Sequence, residues 1–409
     1  ARLAIIDLAS GDQPLRDKGG AALVANAEIY NYVELRQQMP GAAFATKSDC
    51  EPALPLYRRD GAAFAASLRG MYALALHDAN GGELVLSRDP FGIKPLYYAE
   101  TPQGLAFASE PRAFFAAGLL SPSVVPRARN ELLQLQFTTG RETIYAGVQR
   151  LLPGETLVVR QGRIVDRRRI EALPLGPPRA MSEDEALKQL EAALMDSVGV
   201  HQRADVPYGL FFSGGIDSSV LLALMARLNT RPVRTYTVGF VSPDVADERQ
   251  QAAALARQVG AEHVAVEFTE DDFWNLAPRV AAAMDDPAAD YAVLPTWKLA
   301  QAAARDLKVV LTGEGGDEIF GGYGRYRSAV RPWWLGGRAM RAKGILDGLG
   351  LLRESPTGWR DGILAAEGAV ATPGRTRLQR AQAADCVDWL PHDLLLKLDR
   401  CLMAHGLEG

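Results

Sequence analysis

The residues best suited to chemistry lie in "GLFFSGGIDSSVLLALMARL", Gly209 to Leu228. An apolar run stops at Phe212. Small, hydroxyl and acidic residues follow at Ser213, Gly214, Gly215, Asp217 and Ser218, and an apolar helical pattern then begins. A strand that ends in a Gly-rich turn and opens a helix presents bare backbone N–H groups at the positive end of the helix dipole. Gly214 and Gly215 carry no Cβ to hold an anion away, and the serine hydroxyls add donors, so the ligand implied is a phosphate. The familiar alternatives do not fit. No Lys lies between Gly209 and Leu228, which removes G-x-x-x-x-G-K-[ST]; Phe211 stands where a G-x-S-x-G elbow needs Gly; and G-x-G-x-x-G is absent.

What remains is the S-G-G-x-D-S loop of ATP pyrophosphatases, matched at every fixed position by Ser213, Gly214, Gly215, Asp217 and Ser218. Its Asp has a physical purpose, because a carboxylate beside a departing pyrophosphate is tolerable when it holds Mg²⁺. A second acidic loop, in "VVLTGEGGDEIFGGYGRY", follows the apolar run 309–311 with Glu314, Asp317 and Glu318. Loops at the carboxyl ends of strands in a doubly wound sheet share one crevice, so both acidic loops would face the same ATP.

The elements needed to position these loops are legible. "YGLFF" precedes "SSVLLALMARL", "VRTYTVGF" precedes "DERQQAAALARQVG", "HVAVEF" precedes "DDFWNLAPRVAAAM", and "PTWKLAQAAARD" leads to "KVVLTGEGGDE". That alternation predicts a parallel sheet flanked by helices. Ahead of it, Ser182 with Glu185 predicts a capping box, and Leu187, Leu190, Leu194 and Val198 form one apolar stripe. The stretch "EALPLGPPRAMS" breaks all periodicity. The expected organisation is an α+β domain of antiparallel sheets over 1–170, a linker over 171–182, and an α/β doubly wound parallel-sheet domain over 183–409, mostly helical beyond Tyr326. In the first part, short runs such as "AALVANAEIYNY", "KPLYYAE" and "GETLVVRQGRIV" predict strands and hairpins, and "ARLAIIDLAS" opens with an apparent strand. Asn80-Gly81 predicts a type I′ turn, and Arg167-Arg168-Arg169 a solvated linker segment.

"SGGIDSS", "TGEGGDEIFGGY" and "LLLKLDRCLMAHGLEG", in this order, resemble the synthetase domain of the glutamine-hydrolysing asparagine synthetases. The first part resembles that family's other half, a class II (N-terminal-nucleophile) glutaminase, through "RLAIIDLASGDQPL", "NAEIYNYVELR", "SDCE", "LRGMYALALHD" and "SRDPFGIKPLYY". The resemblance covers nearly the whole chain and is weakest from Arg327 to about Cys386. It implies that a carboxylate attacks the α-phosphorus of ATP, pyrophosphate leaves, and ammonia displaces AMP. It places Ser213, Gly214, Gly215, Asp217 and Ser218 on pyrophosphate, Asp217 and Asp317 on Mg²⁺, and Phe212, Val238, Thr312 and Gly313 on AMP. Glu314 is then the base that takes a proton from attacking ammonia, and Lys397 neutralises charge developing on phosphate and acyl oxygen. In the glutaminase half it places Arg2 and Asp49 on the α-carboxylate and α-amino group of glutamine, Asn26 and the Ala27 N–H in the oxyanion hole, and Glu28 nearby. Ala27 departs from the family's N-G-E; if the position needs φ > 0, Ala costs of order 1 kcal/mol there. The family's nucleophile is a Cys at the mature N-terminus, and none precedes Arg2. The chain reads as an internal piece of a longer protein, expected not to hydrolyse glutamine as given.

Composition sets limits. With 48% hydrophobic and 23% charged residues and a net charge of −4, a nucleic-acid surface is not the main business of the chain. Three cysteines without metal-ligand spacing suit a reducing cytoplasm, and five scattered histidines form no zinc pair. No apolar run reaches the roughly eighteen residues needed to cross a bilayer. The leading reading is thus a ligase using ATP, Mg²⁺, glutamine or ammonia, and a carboxylate, aspartate first. A second keeps the adenylation but changes the carboxylate, as β-lactam synthetases do, with specificity expected near "DDPAADYAVLPT". A third, a non-catalytic scaffold, is opposed by the intact Asp217, Glu314, Asp317 and Lys397. A homodimer is expected by analogy only.

Overall fold

The computed structural model describes residues 3–240, 247–354 and 356–409. The first part holds β1 (Leu15–Arg16), β2 (Ala21–Ile29), β3 (Gly70–Asp78), β4 (Glu83–Arg88), β5 (Tyr97–Thr101), β6 (Gly104–Ala108), β7 (Gln149–Arg150), β8 (Glu155–Arg160) and β9 (Arg163–Arg169). They form a sheet of order β1-β2-β3-β4-β8-β9 and a second of order β6-β5-β7, with every pairing antiparallel. Among the described residues, four α-helices accompany them: α1 (Tyr32–Gln38), α2 (Ala53–Asp60), α3 (Arg112–Ala116) and α4 (Pro126–Leu135). Along β3, Tyr72, Leu74 and Leu76 pack with Leu23, Leu54 and Phe64, whereas Ala73 and Ala75 share a cluster with Leu96, Tyr98 and Leu151. Alternate side chains thus serve two cores, and the small alanines leave room for the second sheet.

Local expectations fail here in instructive ways. Residues 79–82 join β3 to β4, and positive φ belongs to Gly82 (+62°) rather than to Asn80 or Gly81, so no two-residue type I′ turn forms. Asn80 instead donates its side-chain amide to the Gly19 carbonyl at 2.7 Å, tying the longer loop to the turn before β2. Arg167, Arg168 and Arg169 end β9 rather than lying in a linker; Arg167 reaches Glu155 at 3.2 Å and Arg168 reaches Asp166 at 2.8 Å. The segment from Leu3 to Asp7 is not a strand. Ile5 and Ile6 are drawn into the core of the second part with Val198 and Leu210, and the Ile5 carbonyl accepts from Asp205 N–H at 3.0 Å.

The second part runs α5 (Glu183–His201), β10 (Tyr208–Phe211), α6 (Ile216–Leu228), β11 (Arg234–Phe240), α7 (Arg249–Gln258), β12 (Glu262–Phe268), α8 (Glu270–Ala283), α9 (Val293–Ala303), β13 (Val309–Leu311) and α10 (Gly316–Phe320). Its sheet has the order β12-β11-β10-β13 and is parallel throughout. One core joins Leu210 and Phe212 to α5, α6 and α7 through Val198, Leu222, Met225, Ala252 and Ala256. Another joins Phe211, Tyr236 and Val310 to α9 through Leu299, Ala300 and Ala303. Apolar cover on both faces is what a parallel sheet requires. The cap of α5 is half the expected box: Ser182 Oγ accepts from Glu185 N–H at 3.2 Å, but the Glu185 carboxylate accepts from Arg179 and Gln189. Only the far end of its apolar stripe is used, since Leu187 and Leu190 remain exposed while Val198 is buried.

α11 (Gly324–Val330), α12 (Asp361–Ala369) and α13 (Arg377–Ala384) follow, and a π-type helix, Asp385–Leu394, passes directly into α14 (Leu395–Met403). Among the described residues between α11 and α12 the chain is largely irregular rather than helical, broken by Gly and Pro in "RPWWLGG" and "PTGW". No helix among the described residues is long and apolar enough to cross a membrane. Cys50, Cys386 and Cys401 are all buried.

Candidate functional site

The chain lays β11 and then β12 on one side of β10 and adds β13 on the other. Loops leaving the carboxyl ends of β10 and β13 therefore open at the point where the winding reverses, which is where such sheets bind ligands. Gly214 takes φ +79°, the left-handed region, and turns the chain away from β10. Gly215 caps α6 without any side-chain bond, leaving the amides of the first turn open. Ser213 Oγ and Ser218 Oγ lie 3.1 Å apart, and Ser218 also donates to the Gly215 carbonyl at 3.2 Å.

The second loop closes on the first. A Cβ on Gly313 would stand 3.4 Å from Asp217 Cβ, and one on Gly316 only 2.7 Å from Asp217 Cγ. Burial pushes the Asp217 carboxyl above its usual range, and repulsion from the Asp317 carboxylate adds to the shift. Two carboxylates whose charges repel in this way are a natural place for a divalent cation to neutralise. Glu318 does not join them: it is fully buried, and one of its oxygens accepts from Tyr323 Oη at 2.9 Å. Phe212 is buried with Leu210, Leu222 and Met225, and its N–H bonds the Tyr236 carbonyl at 2.8 Å, so its side chain belongs to the core. Val238 is half-buried in β11 and packs against the α9 side of the sheet. Thr312 and Gly313 follow β13 directly.

Lys397 and Glu314, far apart in the chain, are bonded. Lys397 Nζ lies 3.2 Å from Glu314 Oε1 and 2.9 Å from Asp290 Oδ2. Burial alone would strip the Lys397 proton, but the two carboxylates hold it and move the pKa above the usual lysine range. Asp290 falls in the stretch read as the acceptor-specificity region, yet its bond to Lys397 could not be read from spacing. Asp393 was missed altogether. It is fully buried, neither oxygen has a hydrogen-bond partner, and burial together with Asp290 pushes its carboxyl well above the ordinary range. The only sequence signal was its place four residues before Lys397, one helical turn away.

On the glutaminase side, Asn26, Ala27, Glu28 and Asp49 all line one cavity of about 420 Å³. Asp49 Oδ2 accepts from Ile29 N–H at 2.7 Å, which ties its loop to the end of β2. Ala27 lies in regular β2 opposite Tyr72 and outside the left-handed region, so its Cβ brings no backbone strain. Arg2 lies outside the described residues. The cavity is not confined to the first part: Asp399, Arg400 and Met403 of α14, together with Glu408, form part of its lining. α14 thus stands between the two sites, offering Lys397 to Glu314 and Asp399, Arg400 and Met403 to the cavity.

Comparison with known proteins agrees with this two-part geometry. Residues 1–169 match a glutamine amidotransferase domain family and residues 189–409 the asparagine synthase family. A putative glutamine-hydrolyzing asparagine synthetase of Mycobacterium tuberculosis is 35% identical, the match covering 100% of this chain and 70% of that protein. Glutamine-hydrolyzing asparagine synthetase 1 of Bacillus subtilis is 31% identical with the same coverage. The amidase chyE of Penicillium rubens is 34% identical over 80% of this chain and 51% of its own length. The chain belongs to the asparagine synthase family and is an ATP-dependent carbon–nitrogen ligase with a glutamine amidotransferase half.

Proposed function

We propose that the chain amidates a carboxylate through an acyl-adenylate, with aspartate as acceptor, asparagine as product, and AMP and pyrophosphate released. The glutaminase half spans 1–170, the linker 171–182 and the synthetase half 183–409. The observation that carries this reading is the meeting of two loops from one switch point, with Gly313 and Gly316 packed against Asp217 and Lys397 bonded to Glu314.

The α6 N-terminus, Ser213 and Ser218 hold the β- and γ-phosphates, while the Thr312–Gly313 backbone and Val238 border AMP. Asp217 and Asp317 suit Mg²⁺, whose contribution is to neutralise charge on the departing pyrophosphate. An acceptor carboxylate oxygen attacks the α-phosphorus and the bond to pyrophosphate breaks. Lys397 stands where charge grows on the acyl and phosphate oxygens. Ammonia then attacks the acyl carbon, AMP leaves, and Glu314 takes the proton that would otherwise let the amine be expelled again. Asp49, Asn26, Ala27 and Glu28 hold glutamine in the cavity, with Arg2 on its α-carboxylate.

ATP–pyrophosphate exchange tests the reading. Aspartate should drive exchange above every other member of a panel of carboxylic acids. If another acid does so, the acceptor is replaced but the adenylation stands; if none does, the proposal falls. The second acceptor class is kept open by a specific observation, the 34% identity to a protein named as an amidase.

A further inference from the structure

Lys94 belongs to the first part of the chain, in the loop between β4 and β5, yet its ammonium group is buried in the second. It is 1% exposed, lies 3.1 Å from Asp399 Oδ1, and is bonded to Glu408 Oε1. Burial would strip its proton, but Glu408 and Asp399 keep it charged. Removing one member of such a cluster leaves the others buried without a counter-charge.

Each contact leads on to a site. Upstream, the Asp89 carboxylate accepts from the N–H groups of Phe91, Ile93 and Lys94 at 3.1, 2.9 and 3.0 Å, and from Tyr72 N–H at 3.2 Å. Tyr72 is paired with Ala27, the neighbour of Asn26 and Glu28 in the cavity wall. Downstream, Asp399 lies on α14 two residues from Lys397. Glu408 is stitched to the edge of β13, its carbonyl accepting from Val310 N–H at 2.8 Å and its N–H donating to the Lys308 carbonyl at 2.8 Å. β13 in turn carries the loop of Glu314 and Asp317. Asp399 and Glu408 also line the cavity itself.

We infer that Lys94 is a positioning residue that couples the two sites: it ties the glutamine-pocket sheet to both elements that present Lys397 and Glu314, so that glutamine in the cavity changes the affinity for MgATP. This rests on the glutamine and ATP sites proposed above. A coupling of this kind is reciprocal and has a typical size of 5- to 150-fold.

The test is a linkage measurement on the chain by calorimetry: the Kd for MgATP with and without saturating L-glutamine. Glutamine should shift it by at least about fivefold. Lys94→Met leaves two buried carboxylates unmatched and is scored only if circular dichroism shows it folded; Lys94→Gln, which keeps an N–H donor for the carboxylates and leaves the cavity lining untouched, should bind each ligand while the shift disappears. Lys94→Arg, which keeps the cation, should restore it. A merely structural role would weaken folding and leave the shift in place in any folded variant, which overturns the inference. So does glutamine that binds without moving the MgATP affinity of the unaltered chain. Absence of glutamine binding altogether is a different result: it removes the glutamine site, and this inference with it.

Discussion

The ammonium group of Lys397 lies 3.2 Å from the carboxylate of Glu314, although 83 positions separate them in sequence. Asp290, 2.9 Å away on the other side, completes a buried cation held between two anions. Two groups assigned to successive steps therefore share one electrostatic contact, and removing either takes a counter-charge from the other.

Lys397→Met should lower aspartate-dependent pyrophosphate exchange by about 10²- to 10³-fold, the usual cost of losing a preorganised charge partner. Glu314→Gln should leave exchange within about tenfold but halt amide formation, because the proton acceptor acts after adenylation. Parallel assays of exchange and amide release separate the two; equal loss in both by Glu314→Gln contradicts the division of roles.

Asp217→Asn should abolish the thermal stabilisation that MgATP provides while leaving the Tm of the ligand-free protein unchanged or raised. The ligand-free state sets Asp217 against Asp317, and the amide relieves that repulsion. Differential scanning calorimetry with and without MgATP reads both signs, and a lower ligand-free Tm would speak against that repulsion.

Gly316→Ala should displace the Asp217 carboxylate, since the new Cβ would stand 2.7 Å from its Cγ. MgATP affinity is expected to fall at least tenfold, with stability changing by no more than about 1–2 kcal/mol because the atom in the way is the end of a side chain. Gly324→Ala is the control, having no heavy atom within 4 Å of its added Cβ. Isothermal titration of both variants makes the comparison.

Burial, then the nearby Arg150, lowers the pKa of His392 to about 4. Between that value and the ordinary 6.5 the unfolded chain binds a proton that the folded chain refuses, so stability falls as pH drops through this window and is fully present above it. The contribution is on the order of a few kcal/mol. His392→Gln should flatten the urea midpoint between pH 7 and pH 4 relative to the unaltered protein; an equal slope in both would assign the loss elsewhere.

The phosphate loop was legible because its chemistry is local. Ser213, Gly214, Gly215, Asp217 and Ser218 lie within one strand-to-helix turn, where spacing dictates geometry. The parallel sheet was legible for a different reason: strand-like runs alternate with helical ones, an order that a parallel sheet with helical crossovers produces. Short-range signals failed where a distant partner outbid them: Asn80 follows the Gly19 carbonyl instead of the hairpin rule, and Ile5 and Ile6 leave any strand to fill the core beside Val198.

By itself the sequence determined the types and order of the chemistry-bearing residues, the strand–helix alternation, and hence the expectation that two acidic loops would share one crevice. Only the tertiary structure decided that Glu318 turns inward to Tyr323, that Asp290 and Glu314 share Lys397, and that Lys94 crosses from one part to bind Asp399 and Glu408 in the other. Buried charges must find their counter-charges wherever the fold brings them, and sequence separation does not enter that requirement.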